Sequence, residues 1–415
     1  GDTFQIIADL AGGPKAIGGH FGRVLYDADG TAGSGAALDN AALLLDLGTG
    51  RLLASGLNAP GSAFTDLAST TNQRAAAAAL FSTAEIAPRQ IDTRTSIGRL
   101  ARDVIDASGT PAGDLAALTP DSFGGLANYA LLGEKVLAQV HAAEPVGAAG
   151  RGAFAGFLNT SAETVDDVDL DRRDYYAGVD FPVAIAGGLT AGAVVGVNDG
   201  STRRAADRVD ASGTLGQLFA SKNLTPRLRA TGTVGLSNYS FDSRRAALGG
   251  IARSEADGSA FSAAVDGSFR VVTRGEFSVM ARLGLHYNDA NIDGFTESGT
   301  DDAYRIEKFG ATLVNGLAGA TAVWTHPIQG RTLRVQFNAT IDEPLSEGRD
   351  AAGVSLVGSP GMAYAIGFRK EKTSYTVGAD IAYAVTAAGS IYAGYELRSD
   401  AYAGDYTRLG LRLNF

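Results

Sequence analysis

The side chains that most often carry catalysis or bind metals are few and scattered in this chain. Gly33-Ser34-Gly35 lacks both a nucleophile-elbow context and a His/Asp partner pattern, and is typical of a turn. There is no P-loop, and the absence of cysteine excludes thiolate zinc sites and cysteine nucleophiles. The sequence therefore predicts no enzyme activity, no metal and no cofactor. The histidines have neither an i, i+4 pair nor an HExxH motif: His20, His141, His286 and His326.

Acidic residues outnumber basic ones, with 45 Asp and Glu against 35 Lys and Arg, which gives a formal net charge of −10. A protein that binds nucleic acid needs a basic face to neutralise phosphates, so this balance argues against a nucleic-acid partner. One acidic cluster could hold Ca²⁺ weakly, but it lacks the spacing and closing Glu of an EF-hand, which favours a solvated loop. The cluster consists of Asp166, Asp167, Asp169, Asp171 and Asp174.

Hydropathy is close to neutral, with a mean of +0.03. No apolar run approaches the roughly 20 residues that a membrane helix needs, which excludes a helical membrane protein. A membrane β-barrel remains compatible, because its strands are apolar on one side only. The chain begins at Gly1 without an apolar signal segment, as expected of a processed or excised piece.

Most of the chain after residue 150 alternates between apolar and polar residues. The last strand carries Leu409, Leu411, Leu413 and Phe415 on one side and Arg408, Gly410, Arg412 and Asn414 on the other. Alternating segments of about ten residues or more are longer than ordinary strands and long enough to cross a membrane obliquely. A soluble sandwich explains the alternation but not these lengths. The same pattern recurs in 177–185, 189–197, 277–287, 333–341, 375–385 and 391–397.

The connections between these strands alternate between short and long, as in outer-membrane barrels with short periplasmic turns and long outer loops. The long connections are predicted at 163–174, 198–207, 242–258, 288–302 and 342–360. We predict an all-β transmembrane antiparallel barrel of about twelve strands over 150–415. Fourteen strands stay possible, because Tyr304–His326 contains a potential Asn315-Gly316 turn and Met362–Lys370 could form an extra strand.

The first 149 residues lack the sustained apolar–polar alternation of the barrel segment. Residues 66–149 are rich in alanine and predict helices at 72–80, 95–106 and 120–143, the last one starting at Thr119-Pro120-Asp121. This last helix could lie in the barrel lumen or belong to a small helical domain outside it. Residues 1–65 suggest short strands, either the end of a β-solenoid or a few loose strands.

Three segments, in this order, make the chain resemble the autotransporters, or type V secretion proteins. Gly1–Ile7 with Gly18–Phe21 is similar to the end of a β-helical passenger. Thr71–Arg74, followed by Leu118–Phe123, is similar to the linker, and the strand ending at Phe415 to the end of the translocator. The resemblance implies a passenger end at 1–65, a helical linker at 66–149 with a pore helix at 120–143, and an outer-membrane translocator barrel at 150–415.

The resemblance also implies roles for particular residues. The last strand, with Leu409, Leu411, Leu413 and Phe415, would be the signal read by periplasmic chaperones and the β-barrel assembly machinery. Some family members release their passenger by cyclisation of an Asn on the pore helix, and Asn128 is the only Asn there, although a plain helix residue is the favoured interpretation. The pore-helix residues would be Phe123, Gly124, Gly125, Asn128, Tyr129 and Gly133.

Charged residues on the inward side of the predicted strands are expected to form ion pairs that line the lumen. The sequence thus favours a translocator in the bacterial outer membrane that supports export of an N-terminal passenger to the cell surface. Its partners would be outer-membrane lipids, the assembly machinery and the passenger itself. A stand-alone porin and the barrel of an outer-membrane hydrolase stay open as alternatives. The predicted lumen-facing residues are Arg282, Arg334, Glu396, Arg398 and Arg412.

Overall fold

The computed structural model describes residues 23–26, 36–39, 41–46, 51–57, 68–82, 118–119, 121–140, 151–164, 166–183, 188–357, 363–399 and 403–415. Side-chain surroundings are described for 68–77, 118–119, 121–132 and the described parts of 151–415. The N-terminal strands form two antiparallel pairs, β1 (Arg23–Tyr26) with β2 (Ala36–Asp39) and β3 (Ala41–Asp46) with β4 (Arg51–Leu57). The passenger assignment of 1–65 stays a prediction.

Two α-helices precede the barrel. α1 covers Thr71–Ser82, and α2 covers Gly124–Val140 after a 3-10 turn at Asp121–Phe123. These positions match the helices predicted at 72–80 and 120–143, whereas the one predicted at 95–106 lies outside the described residues. Among the described helices, none is long and apolar enough to span a membrane.

Twelve antiparallel strands close into a barrel, and the last strand, at Ala403–Asn414, pairs with the first, at Gly152–Glu163, to complete the ring. The predicted count of twelve is confirmed. Closure gives every strand two neighbours, so no backbone edge is left unpaired. The barrel strands are β5 (Gly152–Glu163), β6 (Asp169–Val183), β7 (Leu189–Arg204), β8 (Asp207–Asn223), β9 (Leu228–Ala247), β10 (Gly250–Arg274), β11 (Phe277–Ile292), β14 (Phe309–Ile328), β15 (Arg331–Arg349), β18 (Ser374–Ala384), β19 (Gly389–Ser399) and β20 (Ala403–Asn414).

An apolar band surrounds the outside of the barrel. Its side chains are about half exposed, which is unfavourable in water and favourable against lipid. Aromatic pairs border the band, with Phe157 packed on Tyr175 toward one end and Trp324 opposite Phe277 at the other. The band includes Val179, Val195, Leu218, Leu236, Val265, Leu283, Phe337, Val377, Ile391 and Leu411.

One end of the barrel carries the short turns and both barrel termini, where the Phe415 N–H donates to the Arg151 carbonyl at 2.9 Å. The turn between β14 and β15 has positive φ at Gln329 (50°) and Gly330 (75°), the geometry of a type I′ hairpin. No turn forms at Asn315-Gly316. β14 runs through this dipeptide with only a local register shift against β15, so one strand fills the long segment.

At the opposite end the strands continue beyond the apolar band. The prediction of long loops at 198–207 and 242–258 is wrong. β7 and β8 are joined across Arg204 and Asp207, and β9 and β10 across Ala247 and Gly250, so these connections are mostly extended hairpins. Polar residues occupy both faces there because both faces are outside the lipid.

A four-stranded antiparallel sheet, here called the cap, forms from the two longest connections at this end. Its strands are β12 (Phe295–Thr296), β13 (Tyr304–Ile306), β16 (Ala352–Leu356) and β17 (Ala363–Ile366), in that order. The segment around Met362–Lys370 thus extends the outer part of the molecule and adds no barrel strand.

Candidate functional site

The first turns of α2 pack against inward-facing side chains of the barrel. Tyr129 is fully buried, and its ring makes edge contacts with the rings of Tyr239 and Phe241 on β9, at 5.9 and 6.0 Å between centroids. Its hydroxyl donates to Asn198 Oδ1 on β7 at 3.1 Å. The Tyr239 hydroxyl donates to the Ala130 carbonyl at 3.4 Å. One helix position is thereby fixed from two strands.

Arg172 on β6 is completely buried beside the same helix. It donates two hydrogen bonds from Nε and Nη2 to Asp174, and Nη1 donates to the Tyr129 carbonyl at 3.0 Å. Its guanidinium lies 4.8 Å from the Tyr129 ring centroid and 5.4 Å from that of Tyr239. Buried charges are tolerated only when paired and hydrogen-bonded, and this cation is both. It therefore ties the helix backbone to the wall.

Two glycines allow α2 to approach the wall closely. A Cβ on Gly124 would lie 2.9 Å from the Phe368 ring and 3.2 Å from Asp166 Oδ2. A Cβ on Gly125 would lie 2.9 Å from Val168 Cγ1 and 3.1 Å from Thr202 Oγ1. Larger side chains at either position would force the helix or the wall to shift. The predicted helix residue Gly133 also lies in α2.

Asn128 is fully buried on α2, and its carboxamide is held at both ends. Its Nδ2 donates to Asp166 Oδ2 at 3.1 Å, and its Oδ1 accepts from Arg349 Nη1 at 2.8 Å. Arg349 also pairs with Glu347 and lies 3.6 Å from Glu371. Asn128 is therefore a bridge between the helix and a charged cluster on the wall.

The cap covers the point where the chain enters α2. Phe123 is buried with its ring 4.9 Å from that of Phe295 on β12. The Tyr304 hydroxyl donates to the Leu118 carbonyl at 3.0 Å, and the Tyr364 hydroxyl donates to the same carbonyl. Burial raises the pKa of Tyr304 and of Tyr364 above the usual range, so both remain donors at physiological pH.

A buried ion pair fastens the cap to the barrel. Arg245 on β9 donates from Nε and Nη2 to the Glu297 carboxylate at 2.9 and 2.7 Å, and lies 4.5 Å from the Tyr304 ring centroid. Burial acts to lower the pKa of Arg245, but the hydrogen bonds and charge of Glu297 raise it above the usual value. Asp302 accepts from the backbone N–H groups of Leu248 and Gly249 at 2.6 and 3.1 Å. The cap is thus anchored through β9 and its turn.

The lumen at the short-turn end is polar. The charged residues predicted to face the lumen lie along its wall, from Arg412 near the short turns to Arg398 near the outer end of β19, and three of the five pair with acids on other strands. Arg412 lies 2.7 Å from Asp180 and Arg398 lies 2.6 Å from Asp342. A cavity of about 500 Å³ is lined by Arg282, Arg334, Glu396 and Arg398 among others. Arg282 contacts Asp266 at 3.0 Å, and Glu396 contacts Arg408 at 3.1 Å.

The residues of the predicted assembly signal point the other way. Leu409, Leu411 and Leu413 are about half exposed on the outside of β20, and Phe415 is 76% exposed. They share the apolar band and are available to lipid or to a partner protein.

The barrel sequence identifies the protein family. Residues 151–396 match the family model of the autotransporter β-domain. The chain belongs to the autotransporter family. The family resemblance predicted from the sequence is therefore confirmed, and this autotransporter chain forms an outer-membrane translocator whose passenger is exported to the cell surface.

Solved autotransporter structures share the fold. The chain is similar to the translocator domain of NalP from Neisseria meningitidis, with a TM-score of 0.57 and 14% identity, over 70% of this chain and 98% of that one. It is also similar to the β-domain of the Bordetella autotransporter BrkA, with a TM-score of 0.52 and 14% identity, over 64% of this chain and all of that one. No match to a curated protein sequence was found.

Several residues of the site were not predicted from the sequence. Arg172 and Asp174 lie two positions apart on the same face of β6, inside the acidic run that was interpreted as a loop. Tyr304 and Tyr364 lay in segments whose role was unassigned. Across the described part of the chain, no group of three or more His, Asp or Glu side chains is placed to hold a metal ion.

Replacing Arg172 with Met should lower the free energy of unfolding by about 3 to 5 kcal/mol, because Asp174 would be left buried without its partner. Arg173→Met is the matched control. Arg173 is the next residue along, 58% of its side chain is exposed, and its pair with Asp199 is 3.6 Å long. Urea unfolding in detergent measures both. Equal effects of the two substitutions would contradict the assigned role of Arg172.

Proposed function

We propose that the translocator is closed at rest, with α2 as a plug in the outer half of the lumen and the cap as a cover over it. The observation that carries this proposal is the burial of Tyr129 and Arg172 against each other between α2 and β6. A helix lying outside the barrel would have no access to these inward-facing residues.

The fit between α2 and the wall supports a seal rather than a loose occupant. Gly124 and Gly125 remove side chains where the wall is nearest, and Tyr129 adds a large ring where β7 and β9 leave room. Hydrogen bonds from Arg172 and Tyr239 reach the helix backbone itself. Close packing of this kind leaves little space for ions to pass.

The polar half of the lumen suits the passage of an unfolded chain. Its ion pairs, such as Arg412 with Asp180, hold the wall together, and most of the side chains that line the cavity are polar, so an unfolded segment meets few apolar groups to which it could adhere. The cavity of about 500 Å³ in this half would then be a water-filled vestibule beneath the plug.

The proposed partners follow from the outside of the barrel. The apolar band would be solvated by outer-membrane lipids. The exposed Leu409, Leu411 and Leu413 on β20, and Phe415 directly after it, would be read by periplasmic chaperones and the assembly machinery before the barrel closes. β20 pairs with β5 only at closure, so a partner could bind its free edge until then.

Conductance of the intact chain in a planar bilayer tests the closed state. The expected result is a low conductance with brief openings, since the plug and cap block the lumen. A wide and stable open channel from the intact chain would contradict the proposal and would favour a stand-alone porin.

We also propose that this chain has no catalytic activity of its own, so the passenger is not released at Asn128. Cyclisation of Asn128 would require its Nδ2 to attack its own backbone carbonyl carbon. Both ends of the carboxamide are held against the wall, since Nδ2 donates to Asp166 and Oδ1 accepts from Arg349. Asp166 could take up the Nδ2 proton, so the restraint on the attack is the fixed position of the carboxamide. The helical backbone adds a second restraint on that attack.

Intact-mass spectrometry of the membrane-inserted protein is therefore expected to show one uncut chain over days at neutral pH. Asn128→Gln serves as the reference that cannot form the same five-membered ring. Fragments ending at Asn128 that disappear in Asn128→Gln would show that the chain cuts itself. A panel of hydrolase substrates, added to the same sample, covers the possibility of an outer-membrane hydrolase.

A further inference from the structure

The N-terminus of α1 is closed by hydrogen bonds among its own first residues. Gln73 Oε1 accepts from the N–H groups of Ser69 and Thr70 at 2.7 and 3.1 Å, and the Gln73 N–H donates to Thr70 Oγ1 at 3.1 Å. This reciprocal arrangement fixes the first turn of the helix. The helix packs against β17 of the cap, with Ala76 and Ala77 almost fully buried. α1 is therefore a preformed element seated on the cap.

Asn72, in the first turn of α1, joins three parts of the molecule. Its Nδ2 donates to Asp121 Oδ1 at 2.6 Å and to the Gly367 carbonyl at 3.1 Å. Its Oδ1 accepts from the Gly367 N–H at 3.1 Å. Both ends of the carboxamide are thus hydrogen-bonded. Asp121, which leads into α2, binds Nδ2, and the backbone of Gly367, which follows β17, binds both Nδ2 and Oδ1.

Asp121 and Gly367 together form the seat for Asn72. Asp121 belongs to the segment that leads into α2 and Gly367 to the segment that follows the cap, so neither part supplies the seat alone. Asp121 is held in place by Arg204 at the end of β7, at 2.6 Å between Nη1 and Oδ2. Gly367 is placed by the cap. The seat is complete only when α2 has entered the mouth of the barrel and the cap has folded over it. Docking of α1 would then follow closure of the pore.

We propose that this joint holds the passenger side of the chain on the barrel without a covalent link. α1 and Asp121 lie on opposite sides of residues 83–117 in the chain, yet they contact each other directly. A cut within 83–117 would therefore leave residues 1–82 on one fragment and their seat on the other. The passenger end would remain bound at the cell surface after such a cut, an inference that rests on the proposed function for its biological setting only.

A site-specific protease sequence inserted between residues 109 and 110 tests the joint in the full chain in lipid vesicles. After cleavage, the vesicles are washed and the share of the N-terminal fragment that stays with the barrel is followed over time. Without further changes, most of the fragment should remain. With Asn72→Ala it should leave about tenfold faster or more, because three hydrogen bonds of one carboxamide are lost.

Two further variants sharpen the test. Asn72→Asp should release the fragment faster still, since its carboxylate would face the Asp121 carboxylate across the former 2.6 Å hydrogen bond. Arg74→Ala, on the exposed side of the same helix turn, is the matched control and should retain the fragment.

Immediate loss of the fragment without further changes would overturn the proposal, and so would equal retention in all three variants. The electrophoretic shift of the unheated barrel confirms that each variant is folded. The assay measures retention of the fragment and not conductance. An open pore in the bilayer experiment would therefore refute the plug without deciding whether the joint holds the fragment.

Discussion

Deleting residues 120–143 should open the barrel, with single-channel conductance rising on the order of tenfold as the lumen changes from filled to aqueous. The deletion removes Phe123, Tyr129 and the small residues that bring α2 close to the wall. It also removes the cap's contact at Phe295, so the cover should loosen at the same time. Planar-bilayer recording of refolded protein measures the change.

Two controls separate an open pore from a damaged barrel. Deleting Thr71–Ser82 removes the shorter helix of 12 residues that sits on the cap, and should leave the conductance close to that of the intact chain. The electrophoretic shift between unheated and heated samples reports whether the barrel has closed. An unchanged conductance in a well-folded deletion protein would show that α2 does not fill the lumen.

Removing Phe415 should sharply reduce the amount of barrel inserted in the outer membrane of cells, by an order of magnitude or so, while refolding in detergent proceeds nearly as before. In the folded barrel Phe415 is 76% exposed, and its backbone contributes one hydrogen bond to Arg151. Losing that bond costs only about 1 kcal/mol. A large defect in cells would therefore reflect a step before folding is complete, at which another protein reads the residue.

Val377→Ala provides the comparison for Phe415. Val377 is 55% exposed in the same apolar band but lies on β18, which β19 separates from the C-terminal strand, so its truncation should affect neither measurement strongly. Membrane fractions and heat-shifted bands quantify insertion, and refolding yield in detergent quantifies intrinsic foldability. If deletion of Phe415 impairs refolding and insertion equally, its role is structural and the assembly-signal hypothesis is wrong.

The membrane-facing part of the barrel could be predicted because lipid imposes a one-sided pattern. Leu409, Leu411 and Leu413 must all face outward if Arg408 and Arg412 are to face a polar lumen. Beyond the lipid this contrast disappears. At the outer ends of β9 and β10, Arg244 and Arg253 face outward while Ser243 and Ser254 face inward, so both faces are polar. The prediction of loops there failed for that reason.

The cap was missed, although its sequence carries a weak signal. Tyr304 and Ile306 flank the exposed Arg305 at the start of the segment interpreted as one or two strands, and Val354 and Leu356 alternate with less buried residues inside the predicted loop 342–360. Strands of three to five residues give too short a pattern to stand out. The Asn315-Gly316 dipeptide suggested a turn where the structure has none. Gly316 lies next to Leu345 on the outside of the continuous strand β14.

The pairing of residues across the lumen could not be predicted at all. Arg412 and Asp180 are 232 positions apart, and only closure of β20 on β5 brings them within 2.7 Å. The same holds for Arg349, which reaches Asn128 from a distance of 221 positions. The alternation predicts that such side chains face inward, whereas the register and the curvature of the closed barrel decide which of them meet.

The proposed position of α2 inside the barrel is tested most directly by a disulfide in intact cells. The chain has no cysteine, so Gly125→Cys with Thr202→Cys introduces a single pair. An added Cβ at 125 would lie 3.3 Å from the Thr202 Cβ, close to the spacing of a disulfide. Gly125→Cys with Thr321→Cys, toward the other end of the lumen, is the control pair. Rapid cross-linking of the first pair and none of the second is expected; no cross-link at 125 and 202 in a folded barrel would place the helix elsewhere.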